Sequence, residues 1–380
     1  MNQTKPIRIL VVDDTIVYRK IVSDVLTELP GVEVVGTANN GKIALTKISA
    51  LEPDLITLDI EMPEMNGIEV LEHIRRENLP VGVIVLSTLT YEGGDLTIHA
   101  LELGAFDFIP KPQSGTMTEN RESIKNFLAP MLKAFQRRRE IKNILLGGTP
   151  AAKPKEMKKG LKKTATTEIT DDVIQRMHRL SGRIKPKSEI IVIGISTGGP
   201  NALSLMMPQI PSNIGVPILI VQHMPPIFTQ SLANSLGAKC GIPVQEARDG
   251  EIVIPNKVLI APGGKQMKVA ASPDGKNRII RITDDPPENS CKPSVDYLFR
   301  SIADHYVGRA TGVIMTGMGS DGRDGARRMK QKGAFIIAQD ESTCTVFGMP
   351  KEIIEIGIAD AVVPLDQIAQ EIVQTVKGYY

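Results

Sequence analysis

Three short segments hold the residues best suited to covalent chemistry: Gly194-Ile195-Ser196-Thr197-Gly198-Gly199, Gln222-His223-Met224-Pro225-Pro226 and Gly317-Met318-Gly319-Ser320-Asp321-Gly322. They supply a serine, a histidine and an aspartate, the set from which a hydrolase builds a nucleophile, a general base and an orienting acid. Glycines around Ser196 permit a strained turn that exposes its hydroxyl and aims backbone N–H groups at a developing oxyanion. A second set lies nearer the N-terminus. Asp13, Asp14 and Asp59 are acids suited to a hard divalent cation such as Mg2+, and Ser87 and Lys111 add a hydroxyl and a cation. A carboxylate in such a cluster can accept a phosphoryl group as an aspartyl phosphate.

These residues owe their meaning to the elements that carry them. Apolar runs at Ile7–Val12, Val32–Thr37, Leu55–Leu58, Val83–Leu86 and Phe106–Ile109 read as buried strands, with helix-like spacing between them at Ile16–Leu29 and Gly67–Arg76. Five such βα units predict a flavodoxin-like, doubly wound sheet. Asp13, Asp14, Asp59, Ser87 and Lys111 then fall at the carboxyl ends of strands, where open α/β sheets bind ligands. In the second half, Glu189–Ile193, Val216–Val221 and Ala310–Met315 are strand candidates that immediately precede the serine, histidine and aspartate segments. They predict a second α/β domain with a mostly parallel sheet and all three residues on one rim.

The 380-residue length favours two domains. We expect a first domain over residues 6–125, a helix-like extension and lysine-rich linker over 126–187, and a second domain over 188–380. The helical pattern of Ser123–Leu145 closes the first domain. Around Ala151–Lys163 the chain is lysine-rich and poor in apolar residues, which predicts a self-repelling linker. A net charge of +2 argues neither for nor against a polyanionic partner, and no nucleic-acid partner is expected. No apolar run approaches a membrane span, and the N-terminus lacks the pattern of a signal peptide. Three widely spaced cysteines, Cys240, Cys291 and Cys344, fit a reduced, cytoplasmic setting.

Each candidate also has a plainer role. Ser196 could line a phosphate cradle, His223 could be a turn residue, and Asp321 could cap a helix. Of the remaining histidines, His73 and His99 belong to the first domain, His178 lies beside the linker, and His305 sits in an amphipathic stretch. Gly317-x-Gly319-x-x-Gly322, with Asp340 after the next strand, also satisfies a dinucleotide fingerprint, so an NAD(P) oxidoreductase uses the same residues. A non-enzymatic binding module acting through the basic linker is the other alternative.

Val11-Val12-Asp13-Asp14, the stretch Leu58-Asp59-Ile60-Glu61-Met62-Pro63 and Lys111-Pro112 resemble the response-regulator receiver domain throughout the first domain. That resemblance implies Asp59 as phospho-acceptor, Mg2+ held by Asp14, Asp59 and the Glu61 carbonyl with Asp13 assisting through water, and Phe108 as the switch aromatic. The Ser196, His223 and Asp321 segments, with Ala261-Pro262-Gly263-Gly264 and Cys291-Lys292-Pro293-Ser294-Val295-Asp296, resemble the chemotaxis protein-glutamate methylesterase family. This second resemblance implies Ser196 as nucleophile, His223 as base, Asp321 as orienting acid, and Thr197 and Met318 lining the oxyanion hole. It further implies demethylation and deamidation of methyl-accepting chemoreceptors, a chemotaxis histidine kinase as phosphodonor, and no cofactor for the esterase reaction.

Overall fold

The computed structural model describes residues 5–112, 114–145 and 187–378. Runs of β-branched and leucine residues form strands buried on both faces, which is why they read as continuous apolar stretches. The first unit contains β1 (Ile7–Val12), α1 (Ile16–Glu28), β2 (Val32–Ala38), α2 (Gly41–Leu51), β3 (Leu55–Asp59), α3 (Gly67–Arg76), β4 (Gly82–Ser87), α4 (Tyr91–Glu102), β5 (Asp107–Pro110) and α5 (Met117–Leu145). Its strands pair in parallel in the order β2-β1-β3-β4-β5, the flavodoxin-like order.

Helix α5 starts at Met117, earlier than the periodicity at Ser123 indicates. Thr116 and Glu119 explain the earlier start. The Glu119 carboxylate accepts from the Thr116 N–H at 2.7 Å, and the Thr116 hydroxyl accepts from the Glu119 N–H at 3.3 Å, a reciprocal cap. The helix runs unbroken through the expected 125/126 boundary. The lysine-rich stretch around 151–163 and His178 lie outside the described residues.

The second unit continues with β6 (Ile190–Ile195), α6 (Gly199–Met206), β7 (Ile218–Gln222), α7 (Phe228–Lys239), β8 (Val244–Glu246), β9 (Val258–Ile260), β10 (Gln266–Ala271), β11 (Arg278–Thr283) and α8 (Val295–His305). It ends with β12 (Ala310–Ile314), α9 (Arg323–Gln331), β13 (Phe335–Gln339), α10 (Met349–Glu355), β14 (Ala361–Val363) and α11 (Leu365–Lys377). Seven strands form one parallel sheet in the order β14-β13-β12-β6-β7-β9-β8, and β10-β11 make a separate antiparallel pair. The central triplet is therefore β12-β6-β7. The strands that precede the aspartate and histidine segments each flank the strand that precedes the serine.

The two units share a packed boundary. Phe108 on β5 and Phe228 at the start of α7 stack with ring centroids 4.5 Å apart. At the end of α4, Glu102 accepts from Ser204 at 3.3 Å and from Ser235, and pairs with Lys239 at 2.5 Å. One apolar cluster runs from Ile98, Leu101 and Phe108 through to Phe228, Leu232 and Leu236. No helix among the described residues is long and apolar enough to cross a membrane.

Candidate active site and receiver pocket

Ser196 follows β6 and His223 follows β7, and the paired register Ile195↔Gln222 sets the two candidates side by side. The turn at Ser196 is held from several directions. Its N–H donates to the Thr316 carbonyl at 3.0 Å, and its carbonyl accepts from Gln222 Nε2 at 2.9 Å and from the Gly199 N–H at 2.7 Å. Gly198 has φ 76°, and a Cβ there would lie 2.4 Å from Thr345, so only glycine fits this turn.

His223 Nε2 lies 2.8 Å from Asp321 Oδ2. Asp321 is 3% exposed and lies at the N-terminus of α8, where it accepts from the N–H groups of Val295 at 2.7 Å and Asp296 at 3.1 Å. Ser294 Oγ at 2.9 Å, Asn289 Nδ2 at 3.2 Å and the Gly322 N–H at 3.1 Å complete its shell. Burial alone would raise the Asp321 pKa. The His223 bond and charge and the two backbone donors overcome it and hold the carboxyl at about 2. His223 shows the converse balance. Burial disfavours its imidazolium, but the Asp321 bond, the Cys291 contact and the Asp321 charge lift it to about 9.

The serine and histidine are neighbours without being joined: no hydrogen bond links Ser196 Oγ to His223 among the described residues. Such bonds are often long in unliganded enzymes and close in the reacting complex. Thr197 is buried, and its side chain faces Asp107 on β5 of the first unit. Burial raises Asp107 to about 6, opposed by the donors Phe108 N–H and Thr197. Met318 lines a cleft of about 590 Å3 between the units, with Pro130, Lys133 and Arg137 of α5 opposite Cys344 and Phe347. His305 lies at the C-terminal end of α8, away from this set.

The glycine fingerprint has a different task from nucleotide binding. A Cβ at Gly317 would lie 2.7 Å from Ser196 Cβ, and one at Gly322 would lie 2.7 Å from Ile314 and 2.9 Å from Val295. These glycines let the β12 loop pack against the serine turn and against α8. Asp340 accepts from the Thr343 N–H and from Ser342 and Thr343 hydroxyls within its own loop. Sequence reasoning missed two neighbours of the site. Cys291 Sγ lies 3.7 Å from His223 Nδ1, and Asn289 bridges Asp296 and Asp321. Cys291 lies 68 residues from His223, and Asn289 lies 32 from Asp321 although only 7 from Asp296, so no local pattern announces their contacts with His223 and Asp321.

In the first unit, Asp13 is fully buried and Asp59 is 2% exposed, while Asp14 is exposed. Lys111 Nζ lies 2.8 Å from Asp13 and 2.7 Å from Asp59. Burial raises Asp59 to about 6, opposed by Lys111 and aided by Asp13. Carboxylate oxygens of Asp13, Asp14 and Asp59 lie within 4.8 Å of one another. An all-oxygen donor set with more negative charge than Lys111 neutralises fits Mg2+. Glu61 is exposed beside this pocket. Ser87 ends β4 with its hydroxyl turned to Thr97 and to the Gly93 carbonyl at 3.3 Å, not to Asp59.

A flavodoxin-like acid pocket docked on an α/β unit with a serine–histidine–aspartate rim defines a receiver-linked hydrolase. The response regulator receiver domain matches residues 9–121, and CheB methylesterase matches residues 191–372. A protein-glutamate methylesterase/protein-glutamine glutaminase of Desulfotalea psychrophila is 57% identical over 99% of this chain and 100% of its own length. One of the same description from Geobacillus kaustophilus is 41% identical over 98% of this chain and 99% of its own. The crystal structure of the Thermotoga maritima CheB methylesterase catalytic domain is 42% identical, covering 50% of this chain and 98% of that domain, with a TM-score of 0.48. The chain belongs to the protein-glutamate methylesterase/protein-glutamine glutaminase family and carries that family's receiver domain.

Proposed function

We propose that this chain removes methyl groups from glutamate γ-methyl esters, and hydrolyses glutamine side-chain amides, on chemoreceptors during chemotactic adaptation. The observation that carries the reading is the His223–Asp321 pair beside Ser196, in a chain matching a curated methylesterase from end to end.

Ser196 Oγ attacks the γ-carbonyl while His223, through Nδ1, takes its proton. Asp321 holds the other ring nitrogen and stabilises the imidazolium that results. Backbone around Thr197 and Met318 faces the oxyanion. The imidazolium then protonates the leaving oxygen or nitrogen, releasing methanol or ammonia. Water, deprotonated by His223, attacks the acyl-enzyme and frees glutamate.

In the receiver, Asp59 accepts the phosphoryl group from a chemotaxis-type histidine kinase: the donor N–P bond breaks and an Asp59 O–P bond forms. Asp14, Asp59 and the Glu61 carbonyl, with Asp13, would hold Mg2+, which offsets phosphoryl charge when bound. Lys111 follows the phosphoryl oxygens, the Ser87 hydroxyl turns from Thr97 toward them, and Phe108 shifts against Phe228. Free cysteines suit a reducing compartment, so the reading puts the enzyme in the cytoplasm. Methanol release from methylated receptor membranes tests it: wild type releases methanol and Ser196→Ala does not. Equal release by both would overturn it.

A further inference from the structure

Cys291 neither attacks the substrate nor carries a proton in the hydrolysis described above, yet its thiol faces the reacting side of the base. The Asp321 carboxylate holds His223 at Nε2, which leaves Nδ1 directed at Cys291 Sγ, 3.7 Å away. Tetrahedral Zn2+ takes Zn–S bonds of about 2.3 Å and Zn–N bonds of about 2.0–2.1 Å, which sets the sulfur and nitrogen about 3.6 Å apart. The observed separation is that of two ligands already spaced for one ion. A zinc-bound imidazole characteristically donates its other N–H to a carboxylate, and Asp321 fills that outer position. Its oxygens are committed to five protein donors besides His223, so it orients the ring and does not coordinate.

We propose that Cys291 Sγ and His223 Nδ1 form a binding site for a thiophilic divalent cation, Zn2+, whose occupancy reversibly silences the hydrolase. On binding, the Cys291 thiol proton and the imidazolium proton on His223 Nδ1 pass to water, one Zn–S and one Zn–N bond form, and water fills the remaining positions. The ion occupies the lone pair that would accept the Ser196 proton; this inhibitory step, unlike the binding itself, rests on the function proposed above. Solvent reaches the pair, because the His223 side chain is 13% exposed and Cys291 is only partly buried. Among the described residues, the other cluster able to gather round a cation is Asp13, Asp14 and Asp59. That set is all oxygen and favours Mg2+, so saturating Mg2+ removes it from competition.

The test titrates Zn2+ into the full chain with saturating Mg2+ against a chromogenic chelator, and repeats the titration with Co2+ to read thiolate-to-metal charge transfer. Wild type binds Zn2+ and gives the Co2+ band. Cys291→Ser loses at least about tenfold in Zn2+ affinity and loses the band, whereas Cys240→Ser keeps both. Cys291→His keeps Zn2+ through a nitrogen ligand and loses only the band. Zn2+ affinity that is equal in wild type and Cys291→Ser, or absent from wild type, would overturn the site. Cys291-dependent binding in a protein that releases no methanol would instead remove the proposed function and leave the site standing.

Discussion

A serine hydroxyl needs a neutral base beside it, and His223 is held toward its protonated form. With the imidazole lifted to about 9, the base is mostly charged at neutral pH and becomes competent as pH rises. We expect kcat/KM to climb with pH toward about 9. Cys291→Ser should shift that profile to lower pH, because the Cys291 contact helps hold the proton. A profile that is flat from pH 6 to pH 9 by methanol release would contradict the assignment of His223 as base. The same shift carries a stability consequence. Folding is favoured fully below the ordinary histidine value of 6.5, and this contribution fades as pH rises through about 9. Substitutions should follow the division of labour: Ser196→Ala lowers kcat by about 10^6-fold and Asp321→Asn by about 10^4-fold. Circular dichroism should show Ser196→Ala folded, since that change opens no cavity, whereas Asp321→Asn sets an amide NH2 against buried N–H donors and should lower the melting temperature.

At the level of elements, control depends on how α4 and β5 of the receiver sit on α7 and the serine turn. Phe108 stacks on Phe228, Asp107 lies against Thr197, and Glu102 gathers Ser204, Ser235 and Lys239. Asp107 and Thr197 therefore connect the strand bearing Lys111 with the residue next to Ser196. Gly94 marks the closest approach: a Cβ there would lie 2.8 Å from Ser231 Oγ and 3.3 Å from Ile227. Ile227 itself has φ 78°, a strained value for a β-branched residue, at the start of α7. Gly94→Leu should wedge the two helices apart. Inside α4, leucine is a better helix former than glycine by about 1 kcal/mol, so the receiver itself should not lose stability. We expect severalfold higher methanol release without phosphorylation. Unchanged basal release with an intact receiver would show that this contact does not restrain the enzyme.

For the whole molecule, two coupled states require a phosphoryl group that acts differently on each. Asp59→Asn should take no label from acetyl phosphate with Mg2+ and should stay at basal activity. Chelating Mg2+ should likewise abolish labelling of wild type, because Asp13, Asp14 and Asp59 repel an incoming phosphoryl group without it. A fragment beginning at Ser188 contains the complete seven-stranded sheet and should exceed the unphosphorylated full chain in methanol release. Lower release by a well-folded fragment would mean that the receiver activates by recruitment and not by uncovering the rim.

Much of this was legible in the amino-acid sequence because it depends on short-range signals. Apolar runs marked β1, β3, β6, β7 and β12, and the residues just beyond them named both pockets. Even the early start of α5 is encoded locally, in the reciprocal cap of Thr116 and Glu119. What the tertiary structure decided was adjacency. Strand order β12-β6-β7 brings three distant loops together, and nothing in the spacing of Ser196, His223 and Asp321 specifies which strands pair. The same holds for the glycines at 317 and 322, whose role as packing surfaces depends on Ser196, Ile314 and Val295 arriving beside them. Cys291 next to Nδ1, Asn289 between two aspartates, and Asp107 against Thr197 all arise from long loops folding back. Local chemistry is written along the chain, whereas contacts across it depend on the total burial and pairing that only the folded state resolves.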